Sequence, residues 1–407
     1  DPGGQHPRDL SAGGAVTDTL VGGPTGPDSP ATRELADPPR TGLRFPALDG
    51  LRIIGAVAVV TTHVGFTSGA SLNGQQAGLL ARLDAGVPLF FVVSGFLLYR
   101  PHVKARLTGR PAPALGTYLR HRAARILPAL WLAVLGAALL LHHSPLVGTS
   151  SFLRYATLTQ IYSQVPAPTG LTQMWSLATE WAFYLALPAL AWALSRGAGA
   201  PRTWALRTIV LLGLLPVGSA VWVAVATSNG GGLPMVWLPA FLGWFGLGMA
   251  LATWSAAREA GIFSPSVIDD LGRAAGSVYA AAAALYLLLC TPIAGPYDLS
   301  PPTVGHAVLG ALLVFPAVVG AAADRPSAVV RALGGRVGRS LGDISYGVFA
   351  YHLIVLSLAE RAFNHRTFDG QFPQLWLSTI GVTLVVAWIS YRAVERPIMR
   401  WARRREH

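Results

Sequence analysis

The stretch LDGLRIIGAVAVVTTHVGF, Leu48 to Phe66, decides the fold. Its only ionisable side chains are Asp49, Arg52 and His63, and about 20 predominantly apolar residues in one helix suffice to cross a bilayer core. At about 100° per residue, the eleven steps from Arg52 to His63 make about three turns with roughly 20° left over, so both side chains share one helix face. At about 1.5 Å per residue they stand roughly 16 Å apart along the axis, half of a hydrocarbon core. Ionisable side chains within a membrane span are costly and are functional-site candidates by default. The bland alternative has Arg52 as an anchor at the membrane edge and His63 as a contact to a neighbouring helix. This stretch alone leaves the two readings level.

The rest of the chain has the same character. Apolar residues make up 52% of 407 and charged residues only 12%, against about 25% charged in soluble domains. The net charge of +12 does not read as a nucleic-acid signature, because the basic residues sit between apolar spans instead of gathering with stacking aromatics on a soluble domain. Of the 31 basic residues only Lys104 is a lysine; this fits a GC-rich coding bias, and the planar arginine fork also suits phosphate. The single cysteine, Cys290, excludes an internal disulfide and a cysteine-based metal site. Short motifs of zinc proteases, P-loop proteins, serine hydrolases and dinucleotide-binding folds are missing.

Outward from Leu48, the hydropathy pattern predicts ten spans: 49–67, 79–99, 123–142, 174–194, 204–226, 233–254, 275–291, 304–322, 343–360 and 374–394. Residues 150–162 are amphipathic and short, and read as an outer-surface helix. Residues 1–44 are rich in Gly, Pro, Asp and Thr without apolar periodicity and read as a disordered cytosolic tail, with no signal-peptide pattern. With the N-terminus in the cytosol, 27 of the 31 basic residues fall on the inner side and only Arg82, Arg154, Arg361 and Arg366 outside. That asymmetry obeys the positive-inside rule and would be scrambled by one missed span. The expected class is an all-α integral membrane protein with about ten transmembrane helices and both termini cytosolic.

Two polar clusters stand out. In RHRAARILP, Arg122 and Arg125 lie one helical turn apart at the start of the third span; with Arg52 and Arg100 they are expected to ring an inner-face pocket for phosphates, the alternative being topology alone. Within the membrane, His63 lies in the outer half of its span and Glu180, in QMWSLATEWAFY, about two turns inside the outer end of the fourth. A carboxylate beside an imidazole is a general-base arrangement; otherwise Glu180 is a structural partner of a span Arg or Tyr. Tyr346, Tyr351 and His352, in ISYGVFAYHLI, are candidates for a polar lining, with a satisfied inter-helix contact as the stronger reading for His352. Ser94, in FFVVSGFLL, reads as close helix packing first and as a nucleophile second. Asp49 and Asp343 each precede a span and are expected to be N-caps. His142 and His143 lack the partners of a metal site, and no metal is expected.

Taken in order, LDGLRIIGAVAVVTTHV, GVPLFFVVSGFLLYR, RHRAARILP, QMWSLATEWAFY, GDISYGVFAYHLIV and SYRAVERPIMRW resemble the membrane acyltransferase-3 family, whose members O-acylate sugars, glycolipids and macrolides. The resemblance runs from Arg44 to the C-terminus. It implies ten transmembrane helices, an acyl-CoA donor on the cytosolic side and an acceptor usually on the outer side. It further implies that Arg52 and His63 match the essential motif of the first span and Arg122 and Arg125 the basic motif that serves the donor. One departure is Pro88, where many members carry an acid.

The domains expected on this basis are the tail 1–44, a ten-helix transmembrane acyltransferase domain 45–398 and a basic cytosolic tail 399–407. The expected activity is acyl-CoA-dependent O-acyl transfer, acetyl being the commonest donor group, to a hydroxyl of a sugar-containing envelope glycolipid such as a trehalose mycolate, in the plasma membrane of a bacterium. His63 and Glu180 are the expected catalytic residues. Arg52, Arg122, Arg125 and Arg100 are expected to hold the donor, and Ser94, Tyr346 and His352 to line the substrate path. The expected partners are the lipid bilayer, acyl-CoA and the acceptor, not nucleic acid. A macrolide acceptor, or a transporter or flippase of an anionic envelope lipid, stays open at this point.

Overall fold

The computed structural model describes residues 43–72, 76–141, 149–164, 167–291, 304–322 and 326–404, and every regular element among them is helical. The expected tail falls outside the described residues except for Leu43 and Arg44, as do His142, His143 and 405–407.

Ten principal helices correspond to the ten expected spans: α1 Ala47–Ser68, α2 Gly86–Thr108, α3 Leu115–Leu140, α4 Met174–Ser195, α5 Pro201–Ser228, α6 Leu238–Glu259, α7 Ala275–Leu289, α8 Val304–Val319, α9 Arg336–Ala362 and α10 Phe372–Ser390. Among the described residues, eight are long and apolar enough to cross a membrane by themselves or with a short flanking helix. The seventh expected span belongs to a bent pair, Val267–Arg273 and α7, with an 83° break between them. The eighth is α8, apolar but of 16 residues. The chain is a multi-pass, all-helical membrane protein.

Helices overrun the apolar spans at their polar ends. The second expected span ends at 99, yet α2 continues through Arg100 to Thr108 and stops at Gly109 in the left-handed conformation. Hydropathy marks where the chain is apolar, whereas backbone hydrogen bonding continues until a residue such as this glycine stops it. For the same reason Asp49 and Asp343 are not N-caps: α1 starts after Pro46 and α9 after Gly335, which leaves the two carboxylates inside helices. The C-terminal run is not a bare tail either. From α10 the chain passes through a π turn, Tyr391–Glu395, into a helix Arg396–Arg404, where the Ala402 carbonyl accepts from Arg120 Nε at 3.0 Å. The segment expected at the outer surface divides into a helix Thr149–Ala156 and a 3-10 turn Gln160–Tyr162.

The principal packing pairs are α1 with α9, α2 with α6, α5 with α6 and α9 with α10. The flanks of α5 (Val210, Leu214, Val217, Val221) and α10 (Leu377, Val385, Ile389) expose apolar rows suited to lipid tails, while α9 is the most enclosed. Small residues let the central helices touch backbone to backbone. A Cβ on Gly86 of α2 would stand 2.3 Å from the Gly55 carbonyl oxygen of α1, and one on Gly248 of α6 would stand 2.0 Å from the Val92 oxygen of α2. These contacts fix α2 against both neighbours and set the depth of the groups it carries.

Candidate active site

Helices α1, α2, α3, α4 and α9 enclose an open cavity of about 690 Å³, counted with its mouth. Arg52 of α1 and Arg122 and Arg125 of α3 contribute its basic wall. Arg52 NH1 donates to Asp49 Oδ1 at 3.1 Å, and Arg125 NH1 reaches Met399 Sδ at 3.8 Å. Arg122 Nε is buried and meets no acceptor among the described residues. Three guanidinium groups around one partly enclosed space repel one another, and an anion with several oxygens relieves that repulsion while accepting from their forked donors.

The acidic wall comes from α4, where Leu177, Glu180 and Tyr184 fall on one face at helical spacing. Glu180 Oε1 accepts from Ser94 Oγ of α2 and from Tyr184 OH, the latter at 2.6 Å. Tyr118 OH in turn donates to the Tyr184 carbonyl at 3.1 Å. From α9, Tyr346 lines the cavity and donates to the Ile126 carbonyl at 2.9 Å, tying α9 to the arginine helix.

Beyond this cavity, α1 and α9 bring two imidazoles together. His352 Nε2 lies 3.1 Å from His63 Nδ1, with ring centroids 5.0 Å apart. His352 Nδ1 is 2.7 Å from the Phe349 carbonyl and His63 Nδ1 is 2.8 Å from the Val59 carbonyl. A carbonyl oxygen only accepts, so each Nδ1 carries the hydrogen. His352 Nε2 is then a lone pair, and the His63 Nδ1–H is shared between it and Val59. His63 Nε2 is left with a lone pair that meets no donor among the described residues, the tautomer a general base requires. His352 is fully buried, whereas His63 is half-buried.

Several expected residues thus meet: Arg52, Arg122, Arg125, Glu180, Ser94 and Tyr346 share one cavity. Arg100 does not join them. It is buried in an ion pair with Glu259, which Lys104 also binds at 2.9 Å, while its Nε donates to Ser255 at 3.3 Å and its head lies 4.9 Å from the Phe45 ring centroid. The expected Glu180–His63 pairing is also replaced. Glu180 takes Ser94 and Tyr184, and the group bonded to His63 is His352. Tyr351 turns away to Ser390, at 2.7 Å. The role of Tyr184 was open to sequence reasoning, since it follows Glu180 by four residues, one turn along the same helix face. The His63–His352 pair was not, because 289 positions separate its members.

Comparison with known proteins bears on this arrangement. A family model described as an acyltransferase domain matches residues 45–392. Over 384 residues, 87% of the chain, it is 27% identical to YrhL of Bacillus subtilis, whose name provisionally makes it a peptidoglycan O-acetyltransferase. It is 24% identical over 375 residues to the peptidoglycan O-acetyltransferase OatA of Listeria monocytogenes. It is also 30% identical over 162 residues, 37% of the chain and 40% of the relative, to acyltransferase MdmB of Streptomyces mycarofaciens. The chain spans about half the length of the first two, 55% and 56%. No solved structure matches.

Proposed function

The chain belongs to the acyltransferase-3 family of membrane acyltransferases, and from that premise we propose that it transfers an acyl group, acetyl as the working donor, from acyl-CoA to a sugar hydroxyl of an envelope glycoconjugate. The observation that carries this reading is a cavity holding three arginines, among them Arg122 of α3 with an unmet buried donor and Arg52 of α1, the helix that presents the His63 base roughly 16 Å further on. In this reading the donor phosphates lie on Arg52, Arg122 and Arg125. The thin pantetheine arm runs along α1 toward His63.

The reaction follows from the tautomer. The acceptor hydroxyl oxygen attacks the thioester carbonyl carbon while His63 Nε2 takes its proton. The C–S bond breaks, and the thiolate recovers a proton and leaves as CoA. His352 accepts from His63 Nδ1–H, holds the ring and stabilises the cation that forms. Glu180, with Ser94 and Tyr184, acts at the cavity and orients the donor arm. The loop-charge asymmetry supports cytosolic termini and a cytosolic mouth for the arginine cavity in a bacterial plasma membrane. The acceptor class includes glycolipids such as trehalose mycolates and the peptidoglycan sugars after which two relatives are named.

Purified protein in lipid nanodiscs, given labelled acetyl-CoA and an extract of envelope glycoconjugates, tests this. Label should move to a glycoconjugate with equimolar CoA release, and His63→Ala should stop both. Lipid movement without CoA release would establish a transporter instead. Retention of full transfer by His63→Ala would remove His63 from catalysis.

A further inference from the structure

The cavity and the imidazole pair are separated by two aromatic rings. Phe90 of α2 and Phe349 of α9 both line the cavity, whereas His63 and His352 do not. Their rings meet edge to face, centroids 6.0 Å apart and planes at 70°. The Phe349 ring lies 5.9 Å from that of His352. On α1, the Phe90 ring packs over Gly55, where a Cβ would stand 3.5 Å from Phe90 Cε2. Gly55 is one turn beyond Arg52 and about 12 Å short of His63 along the helix axis. Both the α1 and the α9 side thus put the rings between the arginines and the base.

This edge-to-face pair is backed by Gly55 on the α1 side and by His352 on the α9 side, so a turn of either ring changes what joins the cavity to the base. We infer that Phe90 and Phe349 are a seal that decides between transfer and hydrolysis, keeping the donor thioester from His63 until the rings part. The inference rests on the donor reading above. Without such a barrier, water substitutes for the acceptor. Its oxygen bonds to the thioester carbonyl carbon as His63 Nε2 takes a proton, the C–S bond breaks, and the thiolate takes a proton to give acetate and CoA. Exclusion of water from a reactive intermediate is a common reason to close a site.

The test needs no acceptor. Wild-type protein, Phe349→Ala, Phe349→Leu and Phe90→Ala are placed in nanodiscs with acetyl-CoA, free thiol is followed over time, and bound CoA is measured by calorimetry. A reachable general base speeds such a step by roughly 100-fold or more, so CoA release per bound CoA should rise at least about tenfold in Phe349→Ala and Phe90→Ala. It should rise less in Phe349→Leu, which keeps apolar bulk and guards against reading a folding defect as an open seal. Adding His63→Ala to Phe349→Ala should return release to the wild-type rate. Unchanged release by variants that still bind CoA overturns the seal alone, as does a rise that survives His63→Ala. If wild-type protein binds no CoA, the donor reading falls and the seal with it.

Discussion

Arg122 offers the sharpest separation of function from stability. Its Nε is buried and unmet among the described residues, and a buried donor in that state costs roughly 1–3 kcal/mol. Replacing Arg122 by alanine removes that cost and the repulsion among the cavity arginines, offset by the loss of its attraction to Glu180. The donor-free protein should therefore melt close to wild type. A charge-assisted hydrogen bond to a phosphate is worth roughly 1.5–3 kcal/mol, so the same change should weaken CoA binding by about 10- to 150-fold. Arg122→Lys restores the charge but not the fork and should fall between. Arg100→Ala is the counter-case: it strips a partner from Glu259 and an anchor from between α2 and α6, so it should lower the melting temperature while leaving CoA binding nearly intact. Calorimetric titration with CoA and thermal unfolding of both variants in the same detergent provide the readout. Loss of melting temperature in Arg122→Ala, or CoA binding weakened less than about threefold (under roughly 0.7 kcal/mol), would refute the reasoning.

Two further outcomes follow from the geometry. His352→Phe keeps an aromatic ring but removes the acceptor for His63 Nδ1–H; because the Val59 carbonyl still holds that hydrogen, kcat should fall by about 10- to 100-fold with KM for the donor unchanged, and steady-state kinetics showing a KM effect alone would oppose it. Gly86→Ala drives a Cβ into the Gly55 carbonyl, so it should destabilise by about 1–3 kcal/mol and lower activity, since α1 and α2 both carry site groups; Gly213→Ala, at an exposed position with nothing near its Cβ, is the neutral control in the same melting assay.

How much was legible beforehand depended on whether the relevant signal was local. Hydropathy over about 20 residues and the charge of the loops between such segments are properties of the chain itself, and they gave the all-helical membrane class and the ten helical segments. Helical periodicity did the same for Arg52 with His63 and for Arg122 with Arg125, because residues on one helix face are fixed by spacing alone. Partners are not fixed that way. Arg100 carries the same charge as Arg122 and likewise borders an apolar span, but only tertiary packing sets Glu259 and Ser255 beside it. Glu180 and His63 were matched by depth, and depth ignores rotation about the helix axis, which turns Glu180 toward Ser94 and leaves His63 to His352. The sequence by itself determined the helices and the polar face each presents. The tertiary structure alone decided which faces meet, because glycine contacts such as Gly55 with Gly86 set the rotation and depth at which neighbouring helices lock.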